Sequence, residues 1–247
     1  MQKTHPQLVV MLTHNDHTVE NAAEIFAQCK NSKARIWGFK EKPLPLEDMK
    51  TLYAAMKASG KMTALEVVCY NEEEGLAGAR MAAECGCDLL MGTVYSDAIN
   101  AFCQAHQLKY MPFVGEIKGR PSVLSGSIAA MIEEAQSYLE KGVYGIDLLG
   151  YRYDGDAAAL NRAFIEAVDA PVCLAGSIND WQRLNEVKES APWSFTIGGA
   201  FFEHKFGDDI CQQINAVCDY MCQNDEGKGG KGCNDEDKSI NEKSLSV

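Results

Sequence analysis

Two carboxylates in this chain sit where carboxylates are expensive. Glu66 lies within Ala64-Leu65-Glu66-Val67-Val68, and Asp147 within Gly145-Ile146-Asp147-Leu148-Leu149. An acid among residues that should be buried costs free energy unless it is paired or used. Glu66 therefore reads as a candidate general base. Its competing reading is a structural ion pair with a neighbouring-strand lysine such as Lys40. Asp147 reads as an acid/base group or a hydroxyl-binding group. Lys40 directly follows the apolar run Arg35–Phe39. It is a candidate for phosphate or carboxylate binding, for acid/base work at a lowered pKa, or for a Schiff base. Its competing reading is a solvated loop shared with Glu41 and Lys42.

Two glycine segments suggest what these groups would act on. Ala175-Gly176-Ser177-Ile178 and Ile197-Gly198-Gly199-Ala200 each follow a short apolar run and lead into a helix-like stretch. Small residues at strand ends let backbone N–H groups approach an anion closely. Gly176, Ser177, Gly198 and Gly199 are the candidate phosphate ligands. Lys118 and Arg120, with Ser122 and Ser125, belong to the long polar loop Gly115–Ser127. Long loops in compact domains often bind or cover ligands, and a surface excursion is the alternative. Arg152 stands just beyond Asp147 as a carboxylate or phosphate fork. Strand alternation puts Asp147, Leu149 and Tyr151 on one face and Arg152 on the other until the strand ends. His14 is a candidate substrate contact. With Asp16 and His17 it also forms a candidate metal set, against a plainer reading as a turn and helix N-cap made by Asn15, Asp16 or Thr18.

The elements that must position these groups alternate regularly. Candidate strands are Leu8–Thr13, Arg35–Phe39, Ala64–Cys69, Asp88–Gly92, Tyr110–Val114, Gly145–Leu149, Val172–Ala175 and Ser194–Gly198. Each is short and apolar, as in strands buried on both faces. Between them run helix-period stretches: Val19–Cys29, Leu46–Ala58, Glu73–Cys85, Asp97–His106, Ile128–Lys141, Ala157–Val168, Trp181–Glu189 and Asp209–Cys222. Asp97, Ser127, Asp156 and Asp180 are expected N-caps. Eight strand–helix pairs in 247 residues predict an α/β fold, a single (β/α)8 TIM barrel over 1–223; about 250 residues are typical of one. An open sheet would more often carry a glycine fingerprint after the first strand, and Thr13-His14-Asn15-Asp16-His17 has no glycine. Leu90-Met91-Gly92-Thr93 weakly echoes Thr196-Ile197-Gly198-Gly199, as a half-barrel duplication would. In a barrel, the carboxyl ends of the strands form the active face, and the loops after strands 7 and 8 commonly hold phosphate. From about Asn224 the composition turns polar and glycine-rich, and 224–247 is expected to be a disordered tail. Its glycine pattern is not a nucleotide loop, because no strand precedes it.

A formal net charge of −12 argues against nucleic acid and against anionic membranes as partners. The expected partner is a small phosphorylated metabolite, met by local dipoles and a few placed cations. No apolar run near Met1–Pro6 reads as a leader, and no run approaches the roughly 18 residues of a membrane span. The ten cysteines are therefore expected to be reduced thiols of a cytoplasmic protein. Cys85-Gly86-Cys87 and Cys218-x-x-x-Cys222 lack zinc spacings with matching partners. No metal and no cofactor are expected.

The chain resembles the ribulose-phosphate-binding barrel superfamily over about residues 7–222. It is similar in layout to the isomerase and cyclase barrels of histidine biosynthesis and to N-acetylmannosamine-6-phosphate epimerase. The resemblance rests on Ala175-Gly176-Ser177-Ile178 and Ile197-Gly198-Gly199-Ala200. It implies phosphate bound by the backbone amides of Gly176, Ser177, Gly198 and Gly199. The histidine-pathway isomerases carry an aspartate at the end of strand 1 and another at strand 5, where this chain has Thr13-His14 and Gly115-Glu116. The Asp-x-Lys-x-x-Asp pattern of the related decarboxylases is absent. The resemblance therefore carries phosphate but no particular reaction. Such barrels are often homodimers, so a homodimer is carried as an expectation.

The leading reading is an enzyme that abstracts a proton next to a carbonyl of a small phosphorylated sugar or sugar acid, by isomerisation, epimerisation or a lyase step. Glu66 and Lys40 form its acid/base pair, and Asp147 orients a hydroxyl. A non-catalytic phosphometabolite-binding or assembly subunit is the alternative from another class. A metal-dependent lyase using His14, Asp16 and His17 is the third.

Overall fold

The computed structural model describes residues 5–223. Residues 224–247, expected as a tail, lie outside the described residues. Eight apolar runs form strands: β1 Gln7–Met11, β2 Ile36–Lys40, β3 Met62–Cys69, β4 Leu89–Thr93, β5 Lys109–Met111, β6 Ile146–Leu148, β7 Val172–Leu174 and β8 Ser194–Ile197. They make one sheet in the order β6-β7-β8-β1-β2-β3-β4-β5, with every described ladder parallel. The two ends meet through three backbone bonds. The N–H groups of Tyr144 and Gly145 donate to Tyr110 O (3.0 and 3.3 Å), and that of Asp147 donates to Pro112 O (3.0 Å). The sheet is thereby a nearly closed barrel.

Among the described residues eight helices of two turns or more follow the strands, α1 Ala22–Cys29, α2 Leu46–Ala58, α3 Glu72–Glu84, α4 Asp97–Ala105, α5 Ile128–Glu140, α6 Ala157–Ala167, α7 Trp181–Ser190 and α8 Ile210–Cys222, with a single turn, Gly199–Phe202, directly after β8. Ser127, Asp156 and Asp180 cap their helices as expected. Ser96, not Asp97, caps α4: its hydroxyl accepts from the amides of Ala98 and Ile99. The hydroxyl one residue earlier reaches the orphan amides, and Asp97 becomes the first helical residue.

Strand alternation builds two cores. Outward residues such as Trp37, Phe39, Leu65 and Phe195 pack beneath the helices. Inward residues Val9, Met11, Ile36, Ala64, Leu89, Met91, Met111 and Cys173 fill the barrel itself. Above that inner layer, at the carboxyl end, the sequence stops being apolar. There Lys40 and Glu66 stand side by side, paired in register across β2 and β3.

The expectation of reduced thiols throughout is corrected. Cys29 at the end of α1 and Cys211 at the start of α8 form a disulfide, 182 residues apart in sequence. The helices after β1 and β8 are neighbours because those strands pair, a proximity that cysteine spacing does not reveal. Among the described residues, no helix is long and apolar enough to cross a membrane. Cross-linking so long a loop removes entropy from the unfolded chain. Cys211→Ser, or reduction of the disulfide, should lower stability by about 2–5 kcal/mol. Denaturant unfolding with and without a thiol reductant measures this; identical midpoints would show that the link contributes nothing.

Candidate active site

The strand ends enclose a cavity of about 770 Å³. Its floor holds the ion pairs that buried charge requires. Lys40 Nζ is hydrogen-bonded to Asp16 and lies 3.7 Å from Glu66 Oε1. The Lys40 and Glu66 side chains are only 12% and 19% exposed, so solvent screens this pair weakly. Burial alone would lower the Lys40 pKa. The charge of Glu66, with the hydrogen bond and charge of Asp16, outweighs burial and leaves it above the ordinary lysine value. The expected lowered pKa is thus reversed: Lys40 is a held cation, unsuited to serve as a base or as a neutral amine. Burial works against the Asp16 carboxylate too. Lys40, Arg120 and Arg152 more than compensate and hold its pKa below the ordinary value.

Local sequence explains how Asp16 arrives. Thr13–His14 and His17–Thr18 form a small hairpin with Asn15 and Asp16 as its two-residue turn, at φ 49° and 66°. Asn and Asp tolerate that left-handed geometry, which suits a two-residue hairpin. The Thr18 hydroxyl ties the hairpin to β2, donating to Lys40 O (2.7 Å) and accepting from Lys40 N (2.9 Å). The helix-cap reading of this segment is corrected: α1 starts at Ala22 after Asn21, with no side-chain cap bond. Asp16 is the site residue that sequence reasoning left without its true role. The signal available was Asn15-Asp16 between two short polar flanks, a hairpin turn pointing back over the barrel mouth.

Glu66 has room because of a residue outside the cavity. Gly92 in β4 adopts φ +87°, and a Cβ there would come within 3.0 Å of Glu66 Cγ. The ladder between β3 and β4 also shifts between Glu66 and Cys69.

Asp147 faces the interior but does not line the cavity. It is 1% exposed and lies two residues below Leu149, which does line it. The expected contact with a substrate hydroxyl is therefore corrected. Burial, reinforced by the charge of Glu66 and opposed by Lys40, raises its pKa well above the ordinary carboxylate value.

Arg152 and Tyr151 exchange the faces expected of them. The strand ends at Leu148, and Gly150–Arg152 form a 3₁₀ turn. The turn breaks the two-residue alternation. Tyr151 is buried beneath Arg183, whose guanidinium carbon is 4.1 Å from the ring centre. Arg152 lines the cavity and lies over Gly176. Gly176 has φ +94°, and a Cβ there would come within 2.7 Å of Arg152 Cγ. Gly176, Ser177, Gly198 and Gly199 all line the cavity, at the ends of the neighbouring strands β7 and β8.

The long loop after β5 divides its residues. Glu116–Lys118 and Val123–Ser125 pair as a second hairpin. Arg120, at its tip, lines the cavity; its Nη2 donates to Val68 O (2.8 Å), and its Nη1 is 3.5 Å from Asp16 Oδ2. Tyr70 fastens the tip, donating to Gly119 O (2.7 Å) and bonding the Ser122 hydroxyl (2.8 Å). Lys118 is corrected: it does not line the cavity, and its exposed ammonium bonds Glu116 at 2.6 Å. Alternation along the hairpin turns it to solvent. Ser125 likewise donates outward, to Asp154 Oδ2 (2.7 Å).

His14 lines the cavity, with Nε2 3.7 Å from Glu203 Oε1 and its ring stacked on Phe202. His17 Nδ1 bonds Asn15 O (2.9 Å), while Asp16 serves Lys40. His14, Asp16 and His17 thus have separate partners and do not converge. Among the described residues, no three His, Cys, Asp or Glu side chains form a metal-sized cluster. The resulting site presents three cations (Lys40, Arg120 and Arg152) and a glycine-lined wall around a carboxylate beside a fixed ammonium.

No family model and no curated protein matches the sequence. Solved structures do match it. A native KDPGal structure aligns with TM-score 0.61 and 13% identity, covering 86% of this chain and 93% of the other. Orotidine 5'-phosphate decarboxylase from Pyrococcus horikoshii aligns with TM-score 0.64 and 12% identity, covering 87% and 99%. N-acetylmannosamine-6-phosphate 2-epimerase from Clostridium perfringens aligns with TM-score 0.58 and 14% identity, covering 78% and 86%. At these identities the likeness establishes architecture alone: the chain shares a (β/α)8 barrel fold with these structures.

Proposed function

We propose that this chain is an enzyme that abstracts a proton next to a carbonyl in a small phosphorylated sugar or sugar acid. The observation that carries the reading is the Glu66 carboxylate beside the Lys40 ammonium in a cavity whose other wall is Gly176-Ser177 and Gly198-Gly199. Glu66 is the base: it takes a proton from the carbon next to the substrate carbonyl. The electron pair moves onto the carbonyl oxygen, where charge develops. Lys40, held as a cation, hydrogen-bonds that oxygen and stabilises the enolate. Asp16 fixes the ammonium in place. Returning the proton from Glu66 to the neighbouring carbon gives an isomer; protonation of the same carbon by a water on the opposite face, with Glu66 keeping its proton until product leaves, gives an epimer; breaking a bond beyond it, with the leaving group taking the electron pair, gives a lyase outcome.

The phosphate is placed on the glycine wall. Among the described backbone-to-backbone hydrogen bonds, none uses the amides of Gly176, Ser177 or Ile178 as donors. Arg152, lying over Gly176, adds a full charge to those dipoles. Arg120 meets polar or anionic groups at the opposite rim. This local arrangement offsets the global negative charge, which disfavours anions at long range.

Two experiments test the reading. Glu66→Gln should cut turnover of the substrate by two orders of magnitude or more, about 10²–10⁴-fold for loss of a positioned base. Ligand-induced thermal stabilisation should stay close to wild type; unchanged turnover would remove Glu66 from the mechanism. The phosphate wall is tested at Gly199, where an added Cβ meets nothing nearer than 3.6 Å and the fold should tolerate it. Phosphorylated three- to six-carbon sugars and sugar acids should raise the wild-type melting temperature more than their unphosphorylated counterparts do. Gly199→Val should abolish that difference while melting near wild type on its own. Equal response to both ligand sets in the wild-type protein would overturn the phosphate assignment.

A further inference from the structure

One layer below the cavity the barrel interior turns polar again. Asp147, Cys173 and Ser194 are successive neighbours across β6, β7 and β8, paired Asp147 to Cys173 and Cys173 to Ser194. Each lies two residues below a residue that lines the cavity: Leu149, Ala175 and Thr196. Two residues along a strand share a face, so all three point into the barrel beneath the site. Asp147 is 1% exposed, and Cys173 and Ser194 are fully buried. Neither Asp147 Oδ1 nor Ser194 Oγ meets a partner at full hydrogen-bond geometry, the Ser194 hydroxyl lying only beside the Cys173 sulfur. A buried polar atom left unpaired is costly and rare. A buried water typically satisfies two to four such groups at once.

We propose that Asp147 and Ser194 bind an enclosed water beneath the cavity, and that Asp147, acting through it, is a positioning residue for the Glu66 carboxylate. The proposal rests on the reading of Glu66 as the base. The titratable groups facing Asp147 are Glu66 from β3, Lys40 from β2 and the Cys173 thiol from β7. Lys40 is already shared between Asp16 and Glu66. A second interior anion next to Glu66 would have no cation of its own. Asp147 therefore keeps its proton, and burial first, then the Glu66 charge, favours that state. A neutral carboxyl has one O–H to donate. Donated to the water, it turns a water hydrogen toward Glu66 and orients that carboxylate. No covalent bond forms or breaks in this role.

Carbon-13 NMR on protein labelled at the Asp and Glu carboxyls tests this without requiring turnover. Glu66→Gln and Asp147→Asn assign the two signals. In the wild-type protein the Asp147 carboxyl should remain protonated at about pH 5, where exposed aspartates have ionised. Asp147→Leu, which removes the donor, should shift the Glu66 carboxyl carbon resonance at fixed neutral pH, because a carboxyl carbon responds to the hydrogen bonds its oxygens accept. Asp147→Asn, which retains a donor, should restore it, and Ser194→Ala should give a smaller shift in the same direction. An Asp147 that titrates with the exposed aspartates, or a Glu66 carboxyl resonance indifferent to Asp147→Leu, would overturn the proposal. The wild-type titration decides even if Asp147→Leu does not fold. A coupled Glu66 whose Gln variant still turns over substrate would instead overturn the assignment of the base and leave the coupling intact.

Stability against pH gives a second readout. Unfolded aspartate ionises near pH 3.9, while native Asp147 retains its proton, so wild-type folding takes up a proton above that pH. Wild-type stability carries this loss as pH rises through the range between the two values. Asp147→Asn lacks it, so the variant's denaturation midpoint should gain on wild type between about pH 4 and pH 7. A constant difference across that range would count against a protonated Asp147.

Discussion

The Lys40 ammonium is the cation around which the polar interior is organised. Asp16 reaches it from the first hairpin and Glu66 from the neighbouring strand. Asp147 lies within range of its field, one layer down. A barrel interior is otherwise close-packed hydrocarbon, and charge can sit there only where it is compensated. One cation shared by two carboxylates leaves no capacity for a third. The protonation of Asp147 and the tie between Asp16 and Lys40 both follow from that shortage. Arg120 adds a weaker contact, with Nη1 3.5 Å from Asp16 Oδ2 while its Nη2 donates to Val68 O.

Secondary structure serves this arrangement at a few particular points. The hairpin turn at Asn15-Asp16 brings an acid back over the barrel mouth. Gly92 leaves the volume that Glu66 occupies, so the orientation of the base depends on a residue without a side chain on the adjacent strand. The 3₁₀ turn at Gly150–Arg152 sends an arginine inward and a tyrosine outward. Each is a departure from regular strand or helix geometry, and each lies at the carboxyl end of the barrel, where loops are free to vary over a fixed scaffold.

The barrel was legible because burial on both faces leaves a strong mark. All eight strands were expected within three residues of their observed ends, the largest difference being at the end of β5. The Lys40–Glu66 pair was legible too, because a carboxylate in an apolar strand needs a partner and β2 pairs with β3. Depth was not legible. Alternation puts Asp147 inside but does not say whether an inward residue lies at the cavity or beneath it; that depends on how the strands are staggered. Lys118 and Arg120 look alike in sequence, two residues apart in one loop. The hairpin turns one to solvent and the other into the site. The Cys29–Cys211 disulfide was hidden for a related reason, since it depends on which helices the closed sheet brings together.

That disulfide also redistributes where the barrel can open. It joins the helices that follow β1 and β8, and so fastens the seam where the two ends of the chain's strand order meet. Among the described residues the seam between β5 and β6 has no disulfide; three backbone bonds stand in place of a full ladder, with side-chain bonds from Asn100 and Gln104 to Lys141 O beside them. Native chains breathe first where the fewest bonds must break. In the oxidised chain, transient opening is directed to that seam, whose lowermost bonds flank Tyr110 and whose upper bond is made by Asp147 itself. Solvent exchange with the interior layer would then pass by the residue that carries its proton.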